Sequence, residues 1–138
     1  MRRLTAFTLM EMILVVVIIG LLAALVLPRV VGWGEKARIA AAKAQIGSFK
    51  TALGGFERAA GRFPSTSEGL RALIEKPPNL PEGVEWERFL DESVIPQDPW
   101  AGEYVYRSPG AVNPDYDLFS RGPDGQEGTD DDIGNTRR

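Results

Sequence analysis

Residues 7–27 read FTLMEMILVVVIIGLLAALVL, an apolar stretch interrupted by one acid, Glu11. About 21 residues at roughly 1.5 Å each suffice to cross a bilayer core of about 30 Å as a helix. Ahead of it stands only MRRLTA, and Arg2 with Arg3 predict a cytoplasmic start with the bulk of the chain sent across the membrane. An ordinary secretory signal carries its small-residue cleavage site after the apolar core; Leu25-Val26-Leu27-Pro28-Arg29 is a poor match, so the segment is expected to be retained.

Composition narrows the chemistry. The chain has 138 residues, room for one small domain, and a formal net charge of -3 with no dense Lys/Arg block, which argues against nucleic acid as a partner. It contains no cysteine and no histidine. No disulfide can staple it, and the usual general base and most zinc or iron sites are ruled out. A carboxylate hydrolase built on Asp98 with Glu103 or Asp117 is the enzyme reading that survives, and no nucleophile motif or cofactor loop supports it. The expectation is a protein that catalyses nothing.

Beyond Gly34, the residues Ile39, Ala42, Ile46, Phe49, Leu53 and Phe56 recur at spacings of three and four, the stripe of one helix face. Lys36, Lys43, Lys50 and Glu57 follow a sevenfold spacing on another face and read as solvated surface. Joined to the apolar stretch, this predicts a helix of about 52 residues, roughly 78 Å, from Phe7 to near Arg58. Pro28 would break an ordinary helix, but neighbouring subunits or local adjustment can tolerate it in a membrane segment. The first half has no core of its own to join, so its surface must face lipid or other copies of itself.

Gly61-Arg62-Phe63-Pro64 reads as the exit loop, and the S-x-x-E of Ser65 and Glu68 as a capping box opening a short second helix over 69–74. The Pro-rich run 76–81 stops that helix. Tyr104–Tyr106 and Tyr116–Phe119 predict a small antiparallel sheet. Trp100, in the turn 95–102, is expected as a packing anchor. Finally, SRGPDGQEGTDDDIGN (120–135) gathers Asp124, Asp130, Asp131 and Asp132 among glycines, a composition able to wrap a hard cation such as calcium, although it is no EF-hand. A disordered acidic tail is the bland alternative.

Three segments carry a resemblance. A-F-T-L-M-E-M-I-L (6–14) resembles the class III signal of type IV pilins and pseudopilins; Gly-Arg-Phe-Pro with the following Glu-Gly-Leu resembles the middle of major pseudopilins of type II secretion systems; and D-P-W-A-G (98–102) together with the acidic loop resembles their turn and calcium loop. The resemblance covers nearly the whole chain. It implies an α+β, type IV pilin-like fold: a long N-terminal helix packed by a short helix and a small antiparallel sheet, with a C-terminal calcium loop. It divides the chain into a leader (1–6), a transmembrane and filament-core helix (7–27) and a periplasmic domain (28–138).

By the same resemblance a prepilin peptidase cuts between Ala6 and Phe7 and Phe7 is N-methylated. Glu11 then serves assembly, pairing with the α-amino group of Phe7 on an adjacent subunit. Structural Ca²⁺ is held by Asp124, by two of Asp130, Asp131 and Asp132, with Asp131 favoured, and by the Arg121 carbonyl. The implied partners are further copies in a helical homopolymer, the inner-membrane assembly platform, minor pseudopilins and, before assembly, membrane lipid. The implied place is the bacterial inner membrane, single-pass, with the C-terminal domain in the periplasm. The implied work is export of folded proteins across the outer membrane. A type IV pilin or minor pseudopilin in adhesion, motility or DNA uptake is the alternative, and a calcium-dependent binding module a third reading. Departures from the pattern are Ala6 and Ala101, each where the family has Gly, and the lack of a Trp after Asn135. The last of these predicts a frayed chain end.

Overall fold

The structure, a computed structural model, describes the backbone of residues 7–136 and the side chains of these residues except 25–33. The expected leader residues Arg2, Arg3 and Ala6 lie outside the described residues. Helix α1 runs Leu9–Ala60, 52 residues, displaced by two from the expected bounds at each end. Both ends have local causes. At the start, Thr8 and Glu11 cap the first turn through their side chains. At the end, Gly61 takes φ 71° and its N–H donates to Glu57 O at 2.7 Å, the left-handed stop that a residue without Cβ adopts at no steric cost. The helical backbone continues through Pro28, which removes one N–H from the ladder without ending it.

The chain divides into two units, residues 1–37 and 38–138. In the first, Phe7 and the large apolar side chains from Leu9 to Leu22 are exposed, Phe7 at 79 %. Among the described residues no helix is long and apolar enough to cross a membrane.

In the second unit the predicted stripe is the core. Ala42, Ile46, Phe49, Leu53 and Phe56 are buried, and Ile39 packs against them half-buried. Large side chains buried this fully each contribute about 1.5–3 kcal/mol. Phe49 meets Tyr104 edge-on at 5.1 Å and Phe56 meets Phe89 at 5.6 Å. Trp100 packs against this core as expected.

The short helix is a single 3-10 turn, Leu70–Leu73, in place of an α-helix. The capping box does form, with the Ser65 N–H donating to Glu68 Oε2 at 2.7 Å and the Glu68 N–H to Ser65 Oγ at 3.3 Å. Gly69 (φ 60°) interrupts the helical backbone between the box and the turn. Pro77 and Pro78 then prevent its extension.

Strands β1 (Val105–Arg107) and β2 (Asp117–Ser120) pair antiparallel, Tyr106 opposite Leu118. A third strand, β3 (Ile133–Gly134), absent from the sequence reading, pairs antiparallel with β2 and gives the order β1-β2-β3. Two residues are too short a run for a periodicity argument to find. β3 also corrects the frayed chain end as far as residue 135: Ile133 is 3 % exposed, and Asn135 is held by hydrogen bonds to Leu118 and Tyr116.

Candidate functional site

Two places carry the residues singled out above. The first is the start of α1. Glu11 Oε2 accepts hydrogen bonds from the Thr8 N–H (2.8 Å) and the Thr8 hydroxyl (2.9 Å), and the Glu11 N–H in turn donates to Thr8 Oγ1 at 3.3 Å. Thr8 and Glu11 thus form a reciprocal capping box that satisfies orphan donors of the first turn. The T-x-x-E spacing of Thr8 and Glu11 is the sequence signal for this box, set within an otherwise apolar run. Phe7 stands exposed just ahead of the box.

The second place is the acidic loop between β2 and β3. Arg121 is exposed. Gly122 (φ 62°) follows, and a Cβ there would collide with the Asp131 carbonyl, so the loop's two arms approach as closely as only glycine permits. Asp124 is exposed; its Oδ1 accepts from the Gln126 N–H at 2.8 Å, and its own N–H donates to Asp131 Oδ2 at 3.3 Å. Asp131 Oδ1 also accepts from the Thr129 hydroxyl at 2.6 Å, and this bond above all holds the Asp131 carboxyl below the usual carboxylate range. Asp130 is exposed.

Asp132 differs from the others. It is 8 % exposed; Oδ2 accepts from the Gly128 N–H at 2.7 Å, while Oδ1 is buried with no hydrogen-bond partner. A buried carboxylate oxygen left this way is costly unless a cation or donor meets it. Among the described residues no group of three or more His, Cys, Asp or Glu is gathered closely enough to hold a metal ion. The structure therefore joins Asp124 to Asp131 and buries Asp132, without bringing the four aspartates to one point.

Two further carboxylates organise the surroundings. Asp117, 2 % exposed, accepts from the N–H groups of Ala111 (2.6 Å), Val112 (3.0 Å) and Asn113 (3.0 Å) and from Asn113 Nδ2 (3.0 Å). Burial pushes its carboxyl up, but these donors together outweigh burial and hold it below the usual range. Asp98, 6 % exposed, accepts from Trp100 N–H (3.0 Å), Gly102 N–H (2.7 Å) and the Ser120 hydroxyl (2.5 Å). Asp98 and Asp117, two of the three acids in the hydrolase reading, are thus occupied in holding loops. The D-x-W-x-G spacing at 98–102 is a signal for the Asp98 turn, whereas Asp117 gave none, because its donors belong to a loop that folds back onto it.

A model of the family described as type II secretion system (T2SS), protein G, matches residues 29–136. The chain belongs to the type II secretion system protein G family. Type II secretion system core protein G of Pseudomonas aeruginosa is 41% identical over 137 residues, covering 97% of this chain and 96% of that one. The core protein G of Escherichia coli K12 is 40% identical over 129 residues, covering 94% and 88%. Among solved structures, the major pseudopilin from the type 2 secretion system of enterohaemorrhagic E. coli superposes with a TM-score of 0.63 at 37% identity, covering 77% of this chain and 92% of that one.

Protein G membership puts this chain in the envelope secretion machinery, in a structural family rather than an enzyme family. Its α+β fold, one long helix with a three-stranded antiparallel sheet, is pilin-like.

Proposed function

We propose that this chain is the major pseudopilin of a type II secretion system: a subunit that polymerises into a periplasmic filament and drives folded proteins through the outer membrane. The observation that carries this reading is the exposed apolar surface of the first unit, from Leu9 to Leu22, attached to a domain that already has a closed core. A surface of that kind has two stable settings, among lipid tails and against copies of itself. The match to protein G rather than to a true pilin supports the major pseudopilin over an adhesive or motility filament.

In this reading a prepilin peptidase cleaves between Ala6 and Phe7 and Phe7 is N-methylated. Residues 7–27 anchor the precursor in the inner membrane, with 28–138 in the periplasm. Self-assembly then moves the anchor from lipid into the filament on the inner-membrane platform, with minor pseudopilins as partners. Glu11 sets the register against the α-amino group of a neighbouring Phe7; its capping bonds to Thr8 hold the carboxylate at the helix entry, ready for that exchange.

A structural calcium ion belongs to the same proposal. Asp132 offers a buried, unpartnered oxygen, and Asp124 and Asp131 lie at the two arms of a loop closed at Gly122. A set of carboxylates and carbonyls suits calcium, which takes six to eight oxygens, better than a softer metal. With the loop drawn in, Asp124, Asp131 and Asp132 would supply side chains and the Arg121 carbonyl a further oxygen, leaving Asp130 outside. Such an ion stabilises the fold because the unfolded chain cannot bind it equally well.

The test of the filament reading is mass spectrometry of the protein from a host with its secretion genes, paired with crosslinking in intact cells. The expected result is an N-terminus at methylated Phe7 and a ladder of oligomers. A chain that retains Met1 and yields only monomers overturns it.

A further inference from the structure

In the second unit the exposed face of α1 carries Lys43, Gly47 and Lys50, residues i, i+4 and i+7 on one side of the helix. A Cβ built at Gly47 would meet nothing within 4 Å. The two lysines therefore flank an open dimple, part of a shallow cavity of about 230 Å³ that Ile46 and Ile133 also line. On another side of the same helix, Ser48, Thr51, Gly55 and Arg58 form one wall of a larger cavity of about 770 Å³, whose other wall is the segment Glu87–Glu92. That segment exposes Glu87, Asp91 and Glu92 against one cation, Arg88, and the exposed Glu82 and Glu85 precede it. Lys43, Lys50, Glu87, Asp91 and Glu92 enter none of the ion pairs formed among the described residues.

We propose that the segment 87–92 of one copy docks on the Lys43–Gly47–Lys50 dimple of the next, with Glu92 or Asp91 reaching between the two ammonium groups. This rests on the filament reading and specifies a contact within it. The basic dimple and the acidic segment lie on different sides of α1, so one copy can offer its segment to a second while its dimple receives the segment of a third. Repeated between copies, such a heterologous contact propagates into an open helical filament. Gly47 weakens a helix interior relative to Ala, a cost with no return inside the subunit and a clear one if a partner's side chain must enter there. Exposed pairs of this kind add modest affinity, set orientation and fade with salt.

The experiment uses the full-length chain in a host carrying its secretion genes, with assembly read by sedimentable filament and by crosslinking. Because the chain lacks cysteine, Lys50→Cys with Glu92→Cys reports this contact alone, and disulfide-linked ladders longer than a dimer are expected. Lys50→Glu and Glu92→Lys should each reduce assembled protein about tenfold, and their combination should restore most of it, as a direct pair requires. Gly47→Gln should lower assembly while leaving the melting temperature of the monomer unchanged or raised. Single reversals without effect, or a combination without rescue, overturn the contact while a wild-type ladder leaves the filament reading standing. A wild type that forms no oligomer overturns both.

Discussion

Asn135 and Leu118 are bound to each other twice: the Leu118 N–H donates to Asn135 Oδ1 at 2.6 Å, and the Asn135 N–H donates to Leu118 O at 3.1 Å. The Asn135 carbonyl also accepts from Asn113 Nδ2 at 2.8 Å. Removing the side chain leaves the N–H of a fully buried residue without its acceptor. Asn135→Ala should therefore cost about 1–3 kcal/mol in urea unfolding, a loss that Asn135→Asp, which keeps the oxygen, partly avoids.

Ala101 sits at φ 65°, a backbone region costing an L-residue about 1–2 kcal/mol, in the turn closed by the Asp98 carboxylate. Ala101→Gly relieves that cost and loosens the unfolded chain in return. The net expectation is a gain of about 0.5–1 kcal/mol, read as a higher melting temperature; a lower one would contradict the strain.

The Arg62 guanidinium reaches Glu68 through two hydrogen bonds, at 2.7 and 2.8 Å. This contact, aided by the Ser65 N–H and hydroxyl, holds the Glu68 carboxyl down at about 2 despite burial. A carboxyl lowered by folding stabilises fully above its ordinary value near 4.5 and loses that contribution as pH falls toward 2. Acid titration of stability should accordingly show a decline between those limits that Glu68→Gln makes shallower.

Chelation should lower the melting temperature of the protein in calcium buffer. At an ion concentration a hundred times the dissociation constant, the expected loss is about 2.7 kcal/mol. Asp132→Asn should abolish the difference between calcium and chelator, and Asp124→Ala should do the same. Identical melting curves with and without chelator would remove the metal from the proposal.

Thr8→Val removes the hydroxyl bonded to Glu11 yet keeps the backbone N–H bond. It should leave the precursor in the membrane fraction and reduce crosslinked oligomers less than Glu11→Ala does. Equal oligomer yield from Glu11→Ala and wild type would separate Glu11 from assembly.

Legibility in the sequence followed the physics of each part. The helix stripe from Ala42 to Phe56 was readable because a 3.6-residue period accumulates over many turns. The pairing of 105–107 with 117–120 was readable because two short apolar and aromatic runs stand on either side of the turn residues Ser108-Pro109-Gly110 and Asn113-Pro114. What stayed hidden had no repeat to announce it: β3 and Asn135 reach β2 from across the acidic loop, and the amides of 111–113 are gathered by Asp117 from four to six residues away. The sequence offers nothing to rank Asp130 against Asp132; burial sets Asp132 apart.

Asn135 acts as a rivet through three segments: it bonds to Leu118 and Tyr116 at the start of β2, follows β3 directly, and accepts from the side chain of Asn113 in the loop that Asp117 gathers. Local opening at this one residue would therefore release the edge strand and that loop together, so that amide exchange at 118 and 135 should rise in step when the rivet is weakened.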